Sequence, residues 1–443
     1  MSCLLPSSRC PAPVYGSSVF TTGREHARFT LCRGARLNRL CSIYVGPHDE
    51  LIFECAEGAG HGDTGGVETR RAGHPTLEGT RCEARQRSRS PIFTWSDRVT
   101  TTVAINGFGR IGRGFLRAML ERDSALEIVA VNDVGDPELM AHLLRYDSCF
   151  GRLDWDVRCD RDTLRVDGRD FRFLNERDVR DLPWKELGVD IVVEATGLLT
   201  DADVARGHLE AGARKVLIAA PAEGEDLTVA YGVNHDRYDD LCHNVVSLGS
   251  CVTNALAPLA HVLDELFGIE HGLMTTVQAC ADERLSDGLR HDVRRGGGGG
   301  EGITPSTTGA ARDIGRVLPR LDGRLDGYAL CVPVQTGALL DLNVTPRRPT
   351  TASEVEAALR DAAQGHLLNV LACTEEPVVS SDIIANPSSC VVDLALTHVT
   401  PTQVRTVAWF DDECGLTNRL LDTAELIGRA WAVGHGKPMA RAR

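Results

Sequence analysis

A short apolar run followed by closely spaced glycines sets the strongest limit on what this chain can fold into. Val103-Ala104-Ile105 has the sequence of a buried strand, and a helix is predicted to run to about Glu121. The glycines between them are spaced G-x-G-x-x-G, which suits a tight turn, close backbone approach to a pyrophosphate, and close helix–strand packing. The pattern therefore predicts a dinucleotide-binding turn formed by Gly107, Phe108, Gly109, Arg110, Ile111 and Gly112.

A second strand, residues 127–131, ends in Asn132-Asp133 at the distance expected for a ribose contact. The Asp133 carboxylate would accept hydrogen bonds from the adenosine ribose and repel a 2′-phosphate, so the residues predict NAD, with NADP less favoured. Further near-continuous apolar strands, residues 190–197 and 216–221, alternate with helices. This alternation predicts an α/β fold with a Rossmann-type, doubly wound parallel sheet.

Cys251 is predicted to open a helix. Residues 245–248 have the sequence of a buried strand, Ser250 is a good N-cap, and an apolar-periodic run continues to Leu266. Backbone N–H groups and the helix dipole at this position favour the thiolate, which is the nucleophilic form of cysteine. The alternative is a buried structural cysteine without a chemical role.

The segment Ser250-Cys251-Val252-Thr253-Asn254, with Pro258 after a short apolar run, resembles the nucleophile segment of the phosphorylating glyceraldehyde-3-phosphate dehydrogenases. The resemblance extends from about Thr101 to about Arg429. It implies that Cys251 forms a hemithioacetal with an aldehyde, gives up a hydride to NAD, and leaves a thioester that inorganic phosphate opens to an acyl phosphate. It also implies an α+β catalytic domain with a mixed, largely antiparallel sheet, a homotetramer, and a role in glucose metabolism.

The same resemblance assigns roles to residues outside the glycine turn. Thr196, at the end of a strand, would border the cofactor, and Asn418 would fix the nicotinamide carboxamide. Inorganic phosphate and substrate would be held by Ser250, Thr253, Thr308 and Gly309.

Several positions depart from the family pattern, and Gln278 is the most serious. The family has a histidine there, hydrogen-bonded to the cysteine. Glutamine cannot take up a proton, and loss of a general base commonly costs about 10²–10⁴ in rate. Val252 lacks a hydroxyl of the phosphate site, Ala281 stands near a usual threonine, and Cys331 replaces an arginine that would bind the substrate's own phosphate.

Two functional hypotheses follow from these matches and departures. The first is an NAD-dependent, phosphorylating aldehyde dehydrogenase that uses Cys251 and Gln278 on a phosphorylated or other small aldehyde. The second is an NAD-binding paralogue with little catalysis that regulates or sequesters electrophilic inhibitors.

Composition excludes other classes of function. The formal charge of −14 argues against nucleic-acid or membrane-surface binding, and no run of 18 apolar residues could span a bilayer. Fifteen cysteines are scattered through a long chain, which favours a reducing cytoplasm over a disulfide scaffold. No CxxC pair or Cys/His cluster has metal-ligand spacing, so we expect no metal site.

Residues 1–98 lack a sustained apolar period, and we predict no packed domain in them. Two explanations remain open: an organelle transit segment, because the first 48 residues are rich in Ser and Arg and poor in acids, or an untranslated extension with the true start at Val99. The rest divides into an NAD-binding domain at 99–250, a catalytic domain at 251–417, and a C-terminal helix at 418–443 that returns to the first domain.

Overall fold

The structure, a computed structural model, describes residues 101–122, 124–279 and 302–434, together with four strands between residues 16 and 56. The chain divides into two compact units, Met1–Ile92 and Phe93–Arg443. The first unit contains an antiparallel four-stranded sheet, which sequence analysis did not predict: β1 (Gly16–Ser18), β2 (His26–Phe29), β3 (Leu40–Val45) and β4 (Leu51–Ala56). The other features expected of residues 1–98 lie outside the described residues.

The first sheet of the second unit has nine strands: β5 (Thr102–Asn106), β6 (Glu127–Asn132), β9 (Val157–Asp160), β10 (Thr163–Val166), β11 (Arg169–Leu174), β12 (Ile191–Glu194), β13 (Lys215–Ile218), β14 (Leu227–Thr228) and β15 (Val245–Ser247). A separate hairpin is formed by β7 (Tyr146–Asp147) and β8 (Gly151–Arg152). The order of strands in the nine-stranded sheet is β14-β15-β13-β12-β5-β6-β11-β10-β9. The first seven in this order run parallel, and β10 and β9 add an antiparallel edge. The predicted doubly wound parallel sheet is confirmed.

Helices cover this sheet because its central strands are apolar on both faces. Strand β5, for example, is fully buried at Val103, Ala104 and Ile105. The helices that follow its strands are α1 (Arg110–Glu121), α2 (Pro137–Arg145), α3 (Trp184–Leu187), α4 (Ala202–Ala205) and α5 (Gly207–Glu210).

The second sheet has seven strands: β16 (Ile269–Ala279), β17 (Thr304–Thr307), β18 (Leu325–Val332), β19 (Ala338–Pro346), β20 (Leu371–Thr374), β21 (Cys390–Val399) and β22 (Val404–Phe410). Their order in the sheet is β17-β18-β16-β19-β22-β21-β20. Among these described strands, only the β18–β16 and β21–β20 pairs are parallel, so the predicted mixed, largely antiparallel sheet is confirmed.

The described part of the second unit contains four more α-helices: α6 (Cys251–Phe267), α7 (Ala310–Val317), α8 (Ala352–Gln364) and α9 (Cys414–Gly434). Helices α6, α7 and α8 share one apolar core with the seven-stranded sheet. Helix α9 instead packs on α1 and places Leu416, Leu420 and Ile427 in the core of the nine-stranded sheet. Among the helices that the structure describes, none combines the length and the apolar composition needed to cross a bilayer.

Candidate active site around Cys251

The glycine turn after β5 has the geometry that its spacing predicts. Gly107 has a φ of +92°, and a Cβ there would lie 2.6 Å from the backbone nitrogen of Thr196, so only glycine fits. A Cβ on Gly109 would meet nothing within 4 Å, and α1 has no side-chain cap at this N-cap. Gly109 and Arg110 are exposed, so the start of α1 is open to solvent, which fits a pyrophosphate.

Asp133 lies at the end of β6 and holds this turn. Its Oδ2 accepts a hydrogen bond from the Phe108 N–H at 2.6 Å, and its Oδ1 accepts one from the Gly135 N–H at 2.7 Å. The Phe108 side chain is fully buried in the core. The backbone N–H of Phe108 is thus engaged by Asp133, and the part of Phe108 in cofactor binding stays a prediction.

Behind the turn, a buried polar network links the ends of three strands. The Asn132 Nδ2 donates to Asn106 Oδ1 at 2.7 Å, and the Asn106 Nδ2 donates to Glu194 Oε2 at 2.6 Å. The Glu194 Oε2 also lies 3.0 Å from Nε2 of His208. Both ends of the Asn132 amide are engaged, since its Oδ1 accepts from the Glu176 N–H. Asn132 thus holds the strand ends together, and its predicted contact with the cofactor stays a prediction.

His208 and Glu194 were not predicted from the sequence as members of this network. Both are almost fully buried, at 0% and 1% exposure. The indole N–H of Trp184 donates to His208 Nδ1 at 3.0 Å; an indole can only donate, so the proton of a neutral His208 lies on Nε2 and faces Glu194. The Glu194 Oε1 accepts from both the backbone N–H and the hydroxyl of Thr196. Thr196 is thereby fixed beside Gly107, next to the turn.

The predicted nucleophile opens α6 as expected. Ser250 is the N-cap, and its Oγ accepts from the Thr253 N–H at 3.0 Å. The hydroxyls of Ser250 and Thr253 also lie 2.9 Å apart. Thr253 is fully buried, so it would influence bound phosphate only through Ser250. Cys251 is half-buried and packs against the cores of both sheets, which places it at the junction between them.

The environment of the Cys251 thiol differs from the sequence-based prediction. Burial is the main cause that raises the pKa of Cys251, and the nearby Asp412 raises it further. The backbone N–H groups of Val252 and Cys251 and the charge of Arg110 lower it, as expected at a helix N-terminus, but they do not compensate. The predicted contribution of the helix end is therefore confirmed in its direction, and burial of the thiol outweighs it.

Three consecutive acids after β22 have separate roles. Asp411 caps α9, because its Oδ1 accepts from the Glu413 and Cys414 N–H groups at 2.9 and 2.7 Å. Glu413 pairs with Arg110 at 2.9 Å. Asp412 lies near the thiol, its Oδ1 is buried without a hydrogen-bond partner, and burial raises its pKa to about 7. Sequence analysis did not single out Asp412, although three acids directly after a buried strand are an available signal.

Gln278 lies near the end of β16, beside Cys331 of β18 in the parallel register. The two strongest departures from the family pattern are thus direct neighbours. The Oε1 of Gln278 is buried without a hydrogen-bond partner among the described residues, as is the hydroxyl of Thr276 two residues earlier. Within the same part of the chain, no hydrogen bond joins Gln278 to Cys251. Buried polar atoms are usually satisfied, so these two oxygens are exceptions.

Asn418 lies in α9 and has hydrogen-bond partners within the fold. Its Nδ2 donates to the Cys414 carbonyl at 3.0 Å, and its Oδ1 accepts from Arg122, the C-cap of α1, at 3.3 Å. Its predicted contact with the nicotinamide carboxamide stays a prediction. Asp412, in the same motif, lies near Cys251.

The predicted phosphate-binding residues Thr308 and Gly309 begin α7. The hydroxyl of Thr308 accepts from the Ala310 N–H at 3.2 Å, and Gly309 is the N-cap. No hydrogen bond connects Thr308 to Ser250 within the described part of the chain. Ala281 and the glycine-rich loop of residues 296–300 lie outside the described residues.

Comparison with known proteins identifies the family. The model of the glyceraldehyde 3-phosphate dehydrogenase NAD binding domain matches residues 101–202, and that of the C-terminal domain matches residues 250–412. The chain belongs to the glyceraldehyde-3-phosphate dehydrogenase family.

Curated relatives agree over almost their whole length. The chain is 54% identical to a glyceraldehyde-3-phosphate dehydrogenase of Kitasatospora aureofaciens over 328 residues, which cover 74% of this chain and 99% of the relative. It is 50% identical to one from Streptomyces coelicolor over 333 residues, with 74% and 99% covered. A Mycobacterium avium relative is 48% identical over 339 residues, with 75% and 100% covered. These matches indicate an NAD-dependent oxidoreductase and do not favour the non-catalytic alternative.

Proposed function

We propose that this chain oxidises glyceraldehyde-3-phosphate, or a closely related aldehyde, with NAD and inorganic phosphate, through a thioester on Cys251. The observation that carries the proposal is the position of Cys251. It is the first residue of α6, at the junction of the two sheet cores, in a chain whose relatives of about half identity are named glyceraldehyde-3-phosphate dehydrogenase.

The residues around the glycine turn support binding of NAD. Gly107 and Gly109 leave room at the turn, and the uncapped N–H groups of α1 suit a pyrophosphate. The negative charge of Asp133 at the end of β6 supports NAD over NADP, because it would repel a 2′-phosphate. When bound, the nicotinamide supplies the hydride acceptor of the reaction.

The chain's own part in the chemistry starts with the thiol. Cys251 Sγ would attack the aldehyde carbon, and its proton must leave before or during that attack. Gln278 cannot accept that proton, and its unpartnered Oε1 can only accept a hydrogen bond. We propose that Gln278 orients the hemithioacetal hydroxyl. Ser250, Thr308 and Gly309 would then hold the phosphate that opens the thioester.

The finer assignments are part of the same proposal. We take residues 99–250 as the NAD-binding domain, 251–417 as the catalytic domain, and 418–443 as a helix that returns to the first. Packing of α9 on α1 supports the last point. By family resemblance we propose that the protein is cytoplasmic and forms a homotetramer. Sedimentation velocity of the purified protein would test the number of subunits.

Absorbance of NADH tests the reaction. Purified full-length protein mixed with glyceraldehyde-3-phosphate, NAD and phosphate should form NADH, and omission of phosphate should stop turnover after acylation. Cys251→Ser should lower kcat by at least about 10³-fold, because the nucleophile is lost. Cys149→Ser is the matched control and should keep activity. The proposal would be overturned if Cys251→Ser retained the wild-type rate, or if NAD bound but no aldehyde was oxidised.

A further inference from the structure

Three side chains of metal-ligand type meet on the surface of α6, outside the thiol site. His261 and Glu265 belong to α6, and His366 lies just after the end of α8. The imidazole rings of His261 and His366 are 5.9 Å apart and nearly perpendicular, at 82°. The Nε2 of His261 is 3.6 Å from Oε1 of Glu265. One ligand atom from each of the three lies within 4.8 Å of the others.

The fold fixes this arrangement independently of the three side chains themselves. His261 and Glu265 are four residues apart on one helix, so they project from the same face one turn apart. The segment that carries His366 is anchored by Leu367 and Val370, which are buried in the same core as α6. The backbone positions of the two histidines are therefore set by core packing.

The donor set suits a first-row transition metal. Two imidazoles and one carboxylate match the three protein ligands of open zinc sites, with water in the fourth position. Tetrahedral ligands at 2.0–2.1 Å from a metal are about 3.3 Å apart, so atoms that now lie within 4.8 Å of one another need to close by up to about 1.5 Å. Small rotations of Glu265, whose side chain is 51% exposed, and of the exposed His366 can supply this movement.

Arg320 opposes a cation at this position. Its guanidinium lies 3.3 Å from His261 Nδ1 and pairs with Asp264 at 2.5 Å. Because a guanidinium can only donate, Nδ1 accepts and the ring hydrogen lies on Nε2. Metal binding through Nε2 requires transfer of that hydrogen to Nδ1 and displacement of Arg320 from it. Arg320 should therefore weaken a bound metal, and its removal should strengthen binding.

We propose that His261, Glu265 and His366 form a binding site for a divalent transition metal such as Zn²⁺, with water as the fourth ligand. A bound ion would tie the segment after α8 to α6, the helix that begins at Cys251, and so stabilise the folded protein. The linear sequence hides this site, because His366 is 105 positions from His261. The expectation of no metal site rested on linear spacing alone.

Cobalt absorption tests the site in the full-length protein. Co²⁺ bound by imidazole and carboxylate gives d–d bands alone, whereas Co²⁺ bound by a cysteine adds a thiolate charge-transfer band. We expect one Co²⁺ per chain without that band, displaced by Zn²⁺. His366→Ala and Glu265→Gln should each weaken binding by at least about tenfold, as loss of metal-site partners does.

Two further variants separate this site from adventitious binding. His398→Ala removes an exposed histidine on β21 and should leave Co²⁺ affinity unchanged. Arg320→Ala should tighten binding severalfold. The proposal would be overturned by a thiolate band in the stoichiometric complex, by no binding to the wild type, or by unchanged affinity in both His366→Ala and Glu265→Gln.

Discussion

The polar groups at the strand ends behind the glycine turn differ from those near the thiol in how they are satisfied. At the ends of β5, β6 and β12, Asn106, Asn132 and Glu194 satisfy one another, and His208 completes the network. Beside the seven-stranded sheet, Asp412 and Gln278 each bury an oxygen without a partner. Buried polar groups are usually satisfied, so the exceptions call for an explanation. The contrast marks the surroundings of the thiol as the place where buried side chains have oxygens without internal partners among the described residues.

The largest expected effect comes from restoring a base at position 278. Gln278→His would provide a group that accepts the thiol proton, so we expect acylation to become about 10²–10⁴ faster. Single-turnover NADH formation measures this step. Gln364→His, at the exposed end of α8, is the control and should not change the rate. An unchanged rate in Gln278→His would show that this residue does not serve the thiol. The difference between the polar groups near the thiol and those behind the glycine turn would then have no bearing on catalysis.

A smaller effect is expected at Asp412, whose pKa is raised from 3.8 to about 7 by burial. The folded state holds this proton more tightly than the unfolded state, so the contribution to stability is full below about pH 4 and is lost as pH rises through about 7. Asp412→Asn should therefore stabilise the protein at pH 8 by about 2–4 kcal/mol relative to its effect at pH 4. Urea unfolding at both pH values measures the difference.

The same variant has a second readout at the thiol. Removing the acid should lower the pKa of Cys251, so alkylation by iodoacetamide at pH 8 should be several times faster. Asp361→Asn, on the exposed surface of α8, is the matched control for both measurements. If Asp412→Asn changed neither the pH dependence of unfolding nor the alkylation rate, the carboxyl would not lie in the buried environment described.

The smallest effect is expected in the nine-stranded sheet. Asp133→Asn removes the charge that would repel a 2′-phosphate but keeps a carbonyl acceptor for the turn, so the preference for NAD over NADP should fall about tenfold, or ~1.4 kcal/mol. Fluorescence titration with both cofactors measures the ratio. Asp136→Asn, at the N-cap of α2, should leave the ratio unchanged. A wild-type ratio in Asp133→Asn would assign cofactor selection to another residue.

Local sequence patterns predicted the elements of both sheets well. The glycine turn and Ser250 as a helix cap depend on neighbours in the chain, and each lies where the pattern placed it. Properties that depend on contacts between distant parts of the chain could not be predicted from local patterns. The net pKa shift of Cys251 depends on how deeply the fold buries the thiol, and on an acid 161 residues away.

Asn132 and Asn418 show another property that local sequence does not reveal. Both side chains were assigned to the cofactor from their place in a motif, and in the fold internal hydrogen bonds engage both amides. Competition between a ligand and internal partners for the same donors is a three-dimensional property. His208 was missed for the same reason, because its partners Glu194 and Trp184 are brought to it only by the fold.

The contact between α1 and α9 has a consequence for biosynthesis. Leu416 and Leu420 share a core with Phe115 and Leu116, and Arg122 pairs with Asp422 at 2.6 Å. These partners are about 300 residues apart, so the ribosome makes α1 about 300 residues before α9, the helix that packs on it. Until then, the apolar side of α1 stays open to water or chaperones, and a chain truncated before α9 would leave it permanently uncovered.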